Sequence, residues 1–279
     1  MKRKTLNTII YYTVVTLIAI FMVYPALWML SSSFKQPWEI FGDILNLIPK
    51  EPTLNNYKEG WQGFGGITFA TFFKNSFIIA GLNTIGTVIS STIVAYGLSR
   101  IPFPGRRIIF TTVILTLMLP MQVQIVPRYI LFSKIGWINT FYPLIVPAFL
   151  GGPFFIFMVM QFIRGIPKEL DESAFIDGAD RIKIFYHIIL PNLKPVITTA
   201  AIFAFYWTWN DFMGPLVYLN SPEKYPVSVA LRAFSDPSAV TNWGAVFAMS
   251  TLSLIPVLVI FVLFQKYIVQ GVTTTGLRG

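Results

Sequence analysis

The sequence predicts an all-α membrane protein with six transmembrane helices. Of its 279 residues, 54% are hydrophobic and only 12% are charged, whereas charged residues make up about a quarter of a soluble domain. Six apolar stretches reach the roughly 20 residues that a helix needs to cross a hydrocarbon core. These predicted spans lie at about 8–31, 75–98, 108–126, 141–163, 195–219 and 245–269. We therefore expect residues 1–279 to form a single transmembrane domain.

The distribution of basic residues predicts the orientation of the spans. The net charge of +9 is concentrated in the N-terminal tail, in the turn with Arg106 and Arg107, and in the 164–194 loop. Short loops rich in Lys and Arg stay on the cytoplasmic side. Both termini and the 164–194 loop are therefore predicted to be cytoplasmic, and the charge needs no nucleic acid to account for it.

Individual spans carry further signals. The first follows a basic start, as a signal peptide does, but at about 24 residues it is too long for one and no small-x-small site follows, so a retained helix is predicted. The second contains Asn75, Asn83 and several small residues, which favours packing inside a bundle. The fourth contains three prolines and the pair Gly151-Gly152. Irregular backbone at membrane depth requires neighbours that satisfy it, so this span is predicted to be bent and not to face lipid all round.

The loop between spans four and five, "DESAFIDGADRIKIFYHIILPNLKP", is too charged to lie in the bilayer. Its signals predict a helix–glycine–helix. The first helix begins near Pro167 and carries Leu170, Ala174 and Gly178 along one small, apolar face. Gly178 can end it with a positive φ. Asp180 can cap the second helix, whose predicted apolar stripe is Ile182, Phe185, Tyr186 and Ile189. Periodicity alone favours a solvated loop over a docking element for a cytoplasmic partner.

Catalytic motifs are missing from the sequence. There is no G-x-x-x-x-G-K-[ST] loop for nucleotide, no cysteine, and only one histidine, His187, which we interpret as structural. The acids of the 164–194 loop are interleaved with bases and do not form a compact metal-binding cluster. We expect no catalytic residue, no metal site and no cofactor on this chain, which argues against a membrane enzyme.

The same loop resembles a known signature. Its motif residues are Glu172, Ser173, Ala174, Asp177, Gly178, Ala179, Leu190 and Pro191. Their order is similar to the E-A-A…G…I-x-L-P signature of membrane permease subunits of bacterial ABC importers, with Ser173 replacing an alanine by another small residue. The segments "PTLNNY", "AYGLSRIPFPGRR", "WTWNDFMGPL" and "FQKYIVQGVTTTGLRG" resemble the maltose-type carbohydrate branch of that family.

This resemblance implies a mechanism and a set of partners. The chain would be half of a heterodimeric pore in the plasma membrane of a bacterium or archaeon, beside a second homologous permease subunit and membrane lipid. A cytoplasmic ABC ATPase dimer, which would hold ATP and Mg, would grip the 164–194 loop, with Glu172 towards basic groups and Gly178 allowing close approach. An extracytoplasmic solute-binding protein would deliver a sugar to the outer loops around 32–74 and 220–244.

Candidate substrate contacts lie near the outer end of span five. Trp207, Trp209, Asn210 and Asp211 could stack on a sugar or exchange hydrogen bonds with its hydroxyls. An interfacial acid beside tryptophan, or a role in packing or gating, accounts for the segment more readily than substrate contact does. The alternative functions are an ABC permease for an amino acid, a peptide or glycerol phosphate, and less favourably a secondary transporter, which would need an ion site at mid-membrane and inverted repeats.

Overall fold

The computed structural model of the chain describes residues 2–42, 44, 46–234 and 241–276, with side chains for 6–42, 44, 46–234 and 241–265. These residues form helices and loops, with no strand beyond an isolated bridge between Phe64 and Ile67. The α-helices are α1 Lys2–Ser32, α2 Pro37–Gly42, α3 Asn55–Gln62, α4 Phe69–Arg100, α5 Arg106–Leu117, α6 Met121–Lys134, α7 Tyr142–Ile145, α8 Pro153–Arg164, α9 Glu169–Ile176, α10 Arg181–Ile184, α11 Leu190–Asn192, α12 Lys194–Trp209, α13 Met213–Tyr218, α14 Val227–Phe234 and α15 Trp243–Gly276. Two 3₁₀ turns, Val146–Leu150 and Pro222–Lys224, and one π-helix, Phe185–Ile189, complete them.

The all-helical membrane fold is confirmed, and the details of the spans differ from the prediction. In the described residues four helical segments are long and apolar enough to cross a membrane, or six if each of two bent pairs is one span. The span predicted at 108–126 is wrong as one continuous helix, because α5 and α6 meet at 107°. The helix predicted across 195–219 is also wrong, because α12 ends at Trp209. The count of six stays a prediction.

The chain divides into two compact units, Met1–Ala70 with Ala230–Ile255, and Thr71–Val229 with Pro256–Gly279. In the first unit the loop after α1 is held by polar contacts. The side-chain amide of Asn56 donates to the carbonyls of Ser33 and Lys35, at 2.9 and 2.8 Å. Ser33 also shares a 2.7 Å hydrogen bond with the Tyr57 hydroxyl. This loop is therefore an ordered cap on the end of α1, and the single-domain prediction for 1–279 stays a prediction.

In the second unit, polar residues of α4 satisfy the irregular backbone of the fourth span. The chain breaks at Gly151, whose φ of 96° suits glycine. Asn83 donates to the Leu144 carbonyl at 2.8 Å, and Ser90 donates to the Ala148 carbonyl at the same distance. These bonds are the compensation that a broken helix at membrane depth requires. The span is irregular at its glycine pair, as predicted, and α4 covers one side of it, whereas Leu150 at the break is 80% exposed. The bend itself stays a prediction.

The core of the second unit lies where α4 and α8 meet the 164–194 loop. Its buried residues include Tyr96 from α4, Met160 and Ile163 from α8, and Ile184 and Ile189 from the loop. The loop therefore contributes to the same apolar core as the spans, which fixes one side of it to the membrane helices.

Candidate functional site

The 164–194 loop folds as a helix, a glycine and a second helix. Gly178 has a φ of 83°, a value that an L-residue with a side chain rarely adopts. The Asp180 carboxylate accepts a 2.7 Å hydrogen bond from the Lys183 backbone N–H and caps the second helix. Both local predictions are confirmed. The first helix begins at Glu169, two residues after Pro167.

The apolar stripe predicted on the second helix is wrong at two positions. Ile182 and Tyr186 are 68% and 58% exposed, whereas Ile184 and Ile189 are fully buried. The reason is the π-helix Phe185–Ile189, in which the wider turn brings residues five apart, and not four, onto one face. The helix therefore buries Ile184 and Ile189 and leaves Ile182 and Tyr186 outside.

An ion pair fastens the first helix of the loop to the end of α4. The Arg100 Nε lies 3.2 Å from the Asp171 Oδ2, and both side chains are almost fully buried. Arg100 also donates to the carbonyls of Ile163 and Ile166, at 3.2 and 2.6 Å. Burial raises the pKa of the Asp171 carboxyl above its usual range, although the Arg100 guanidinium acts in the opposite direction. Arg100 thus binds the end of α8, the start of the loop and its first helix together.

A second contact fastens the other helix of the loop. The Tyr96 hydroxyl, one turn before Arg100 on α4, donates to the Arg181 carbonyl at 2.9 Å. The Tyr96 ring also packs on Phe185, with 4.9 Å between ring centroids. Two neighbouring side chains of α4 therefore hold both helices of the loop from the same side.

The eight motif residues divide between the inner and outer sides of the loop. Ala174 and Ala179 pack against the core, and Leu190 is partly buried. The exposed motif residues are Glu172, Ser173, Asp177, Gly178 and Pro191. A shared small face of Leu170, Ala174 and Gly178 is therefore not formed, because Ala174 points inward while the other two are exposed.

Large apolar side chains are exposed on the outer side of this loop. Ile176 is 87% exposed, and the others are Leu170, Phe175, Ile182 and Tyr186. A Cβ built on Gly178 would meet nothing within 4 Å, so the chain leaves open space at this turn. Apolar side chains exposed together in a segment too charged for the bilayer make this side of the loop a candidate protein-binding surface. We call these five residues and Gly178 the docking surface.

A second candidate region is a cavity of about 300 Å³ near the end of α12, lined by residues that include Asn83, Arg128, Trp207, Thr208 and Asp211. Thr208 donates to the Asn83 side chain at 3.1 Å. Both Trp207 and Asp211 therefore line this cavity, and their contact with a substrate stays a prediction.

Asp211 also has a structural role. Its Oδ1 accepts from the Gly214 N–H at 3.1 Å, which satisfies the first turn of α13. The other two candidates do not line the cavity: Trp209 is buried against Phe77 at 4.9 Å, and the Asn210 amide donates to the Tyr206 carbonyl. Of the four candidates, the structure places two at the cavity.

Three residues of these sites were not predicted from sequence. No role was predicted for Arg100, for Asp171 or for Arg128 of the cavity. For Arg100 the signal was its position at the end of an apolar run, next to a loop whose acids need partners. His187, interpreted as structural, is exposed, and its Nδ1 lies 3.0 Å from the Lys183 carbonyl.

Comparisons with known proteins place the chain in one family. Residues 86–274 match the family described as binding-protein-dependent transport system inner membrane component. The trehalose/maltose transport system permease protein MalG of Thermococcus litoralis is 35% identical over 100% of both chains. The arabinooligosaccharides transport system permease protein AraQ of Halalkalibacterium halodurans is 31% identical, again over 100% of both chains.

A solved structure has the same fold. It is a crystal structure of a bacterial ABC transporter involved in the import of the acidic polysaccharide alginate. The TM-score is 0.85 at 20% identity, covering 96% of this chain and 98% of that chain. The family match over residues 86–274 and the two full-length relatives above 30% identity show that the chain belongs to the family of binding-protein-dependent transport system inner membrane components, as a non-enzymatic permease subunit of an ABC importer.

Proposed function

We propose that this permease imports a sugar or oligosaccharide and that its docking surface binds a cytoplasmic ABC ATPase. The substrate class is supported by the two full-length relatives, whose names specify trehalose/maltose and arabinooligosaccharides. An amino acid, peptide or glycerol phosphate would be the alternative substrate. The docking role of the loop residues, and a place for the cavity residues along the substrate pathway, are both part of this proposal.

One observation carries the ATPase proposal: the 164–194 loop is fixed on one side and open on the other. Arg100 and Tyr96 hold its inner side, while Ile176, Ile182 and Tyr186 are exposed on its outer side. A partner that grips the outer side can move the loop only together with the helices that hold it. Two partner states that contact the loop differently would bias the permease between two conformations.

The remaining parts of the assembly follow from the family. Its description specifies dependence on a binding protein, and we propose that this protein delivers the solute to the outer loops around 32–74 and 220–244. ATP and Mg would be held by the ATPase dimer, and a second homologous permease would complete the pore. Both termini would lie in the cytoplasm. In this orientation the cavity at Trp207 and Asp211 lies towards the outer side of the pathway.

The first experiment replaces one exposed side chain of the docking surface. Ile176→Asp should leave insertion and yield unchanged, because Ile176 is 87% exposed, but should abolish copurification of the ATPase. Ile48→Asp is the matched control, since Ile48 is 75% exposed and lies in the first outer loop. Equal recovery of the ATPase with Ile176→Asp and with the unchanged chain would contradict the docking surface.

A second experiment separates close approach from backbone strain at Gly178. Gly178→Val combines a bulky side chain with a φ of 83° that β-branched residues avoid, and it should abolish transport. Gly178→Asn tolerates a positive φ and should fold normally, yet still lose ATP-driven transport because its side chain fills the open space at the turn. Normal transport by the asparagine variant would refute close approach of a partner at Gly178.

The substrate class is tested independently with the assembled importer in proteoliposomes. Uptake of labelled maltose or arabinooligosaccharides should depend on ATP and on the cognate binding protein. Uptake of amino acids or peptides, with no uptake of sugars, would replace the substrate class without affecting the docking surface.

A further inference from the structure

A basic cavity lies at the turn between α4 and α5, apart from the docking surface. Its volume is about 570 Å³, and its lining includes Arg106 and Arg107 at the start of α5, Arg164 at the end of α8, and the apolar residues Phe103, Ile108 and Phe110. The lining residues, all within the described part of the chain, include no aspartate or glutamate. The cavity therefore combines three positive charges with an apolar wall.

Two of the arginines are held in place within this cavity. The Arg106 guanidinium donates to the Ser99 carbonyl at 3.0 Å. The Arg164 guanidinium carbon lies 5.3 Å from the centre of the Phe110 ring, which is close enough for a cation–π contact. Arg107 and Arg164 are exposed, so they can bind a group from outside. Cytoplasmic orientation alone accounts for basic residues in this turn, but not for their arrangement around one cavity.

The position of the cavity indicates an amphiphilic ligand. It lies at the ends of three membrane helices, α4, α5 and α8. The side chain of Ile108 is 72% exposed, and that of Ile109 is 47% exposed, so the first turn of α5 presents apolar surface directly beside the arginines. A soluble anion would use the arginines and leave the apolar wall uncovered. A phospholipid would use both, because its phosphate suits the planar guanidinium groups and its acyl chain suits the wall.

We propose that this cavity binds the headgroup of an anionic phospholipid, with an acyl chain along Ile108 and Phe110. Basic cavities between membrane helices on the cytoplasmic side are suited to acidic headgroups. This lipid site does not depend on the proposed function. The two proposals share only the expectation that the α4–α5 turn and the 164–194 loop are cytoplasmic. An occupied site would keep α5 and α8 together at the membrane surface.

The test measures lipid binding by native mass spectrometry of the full-length chain in detergent. Added phosphatidylglycerol should bind more tightly than phosphatidylcholine of the same chain length. Arg107→Gln/Arg164→Gln should weaken phosphatidylglycerol binding by about twenty-fivefold, at about fivefold for each arginine. Arg106 is left intact because it bonds to Ser99. The control Lys168→Gln/Lys183→Gln removes two exposed charges from the 164–194 loop and should leave binding unchanged.

Other outcomes would overturn the proposal. Equal loss in the control would mean that net charge, and not this cavity, attracts the lipid. Binding of sn-glycerol 3-phosphate as tight as that of phosphatidylglycerol would indicate a soluble anion. If the glutamine variant does not fold, Arg107→Lys/Arg164→Lys is used instead, because it keeps both charges and should keep the preference for phosphatidylglycerol over phosphatidylcholine. If the unchanged chain itself shows no preference for phosphatidylglycerol, the site is refuted.

Discussion

Removing Arg100 should destabilise the permease far more than removing the charge of its partner Asp171. Arg100→Met leaves the Asp171 carboxylate buried without its cation and removes the guanidinium donor from the Ile163 and Ile166 carbonyls, of which Ile163 still accepts from the Ile166 N–H. Breaking a buried pair by removing one member costs about 3–5 kcal/mol. In Asp171→Asn the arginine keeps both carbonyl acceptors, and we expect a change within about 1 kcal/mol.

The pKa of Asp171 gives this asymmetry a dependence on pH. Burial already raises that pKa, and loss of the Arg100 guanidinium raises it further. The folded Arg100→Met variant then binds a proton that the unfolded chain, with an ordinary aspartate pKa of about 3.9, has released. Stability of this variant should therefore increase as the pH falls from 7 towards 5, because the folded state binds more protons in that window.

Thermal unfolding of the detergent-purified chain measures both effects. Arg100→Met should lower the midpoint by roughly 10 °C at pH 7 and recover part of that loss at pH 5. The double variant Arg100→Met/Asp171→Asn should lack the recovery, since no carboxylate remains to be protonated. Equal destabilisation by the two single variants, or a pH-independent loss in Arg100→Met, would refute the reasoning.

Three further predictions concern single contacts. Tyr96→Phe keeps the ring on Phe185 but loses the hydrogen bond to the loop, so the free energy of unfolding should fall by about 1 kcal/mol. Thermal unfolding measures this loss, with the exposed Tyr186→Phe as the control. Asp180→Ala should destabilise the second helix of the loop by about 1 kcal/mol, seen as faster amide exchange confined to that helix. Asp211→Asn retains an acceptor for the cap of α13 and should leave the transport KM unchanged, whereas a severalfold increase would make the carboxylate a substrate ligand.

The sequence predicted the fold class because apolar length and charge placement are properties of whole segments. It failed where single residues decide the path of the chain. The segment 108–126 is apolar throughout, and Pro120 at the bend was not distinguished from a tolerated proline in a span. The segment 195–219 stays apolar past Trp209, yet the helix ends there. Hydropathy indicates which segments are apolar enough to lie in a membrane, but it does not indicate at which residue the hydrogen bonding of a helix ends.

Within the 164–194 loop, prediction from sequence also succeeded for local features and failed for features that depend on packing. Gly178 and Asp180 were predicted because a positive φ and an N-cap are local requirements. The inward direction of Ala174 and the exposure of Ile182 were missed, because each depends on what α4 and α8 present to the loop. A π-helix cannot be inferred from a four-residue apolar spacing, and the Arg100–Asp171 pair joins residues 71 positions apart, beyond any local pattern.

Helix α4 connects the cavity near Trp207 with the 164–194 loop. Residue Asn83 of α4 lines the cavity near Trp207 and bonds to the irregular fourth span, and Arg100 of the same helix holds the docking loop. The two residues are seventeen positions apart, which is about 25 Å along the helix. Because α4 is continuous from Phe69 to Arg100, a partner that displaced the loop would act on a helix that also carries part of the cavity wall. Under the proposed docking of an ATPase, no separate relay between the docking surface and the cavity would be needed, and a break introduced into α4 between Asn83 and Arg100 should then uncouple ATP hydrolysis from transport while each end keeps its own contacts.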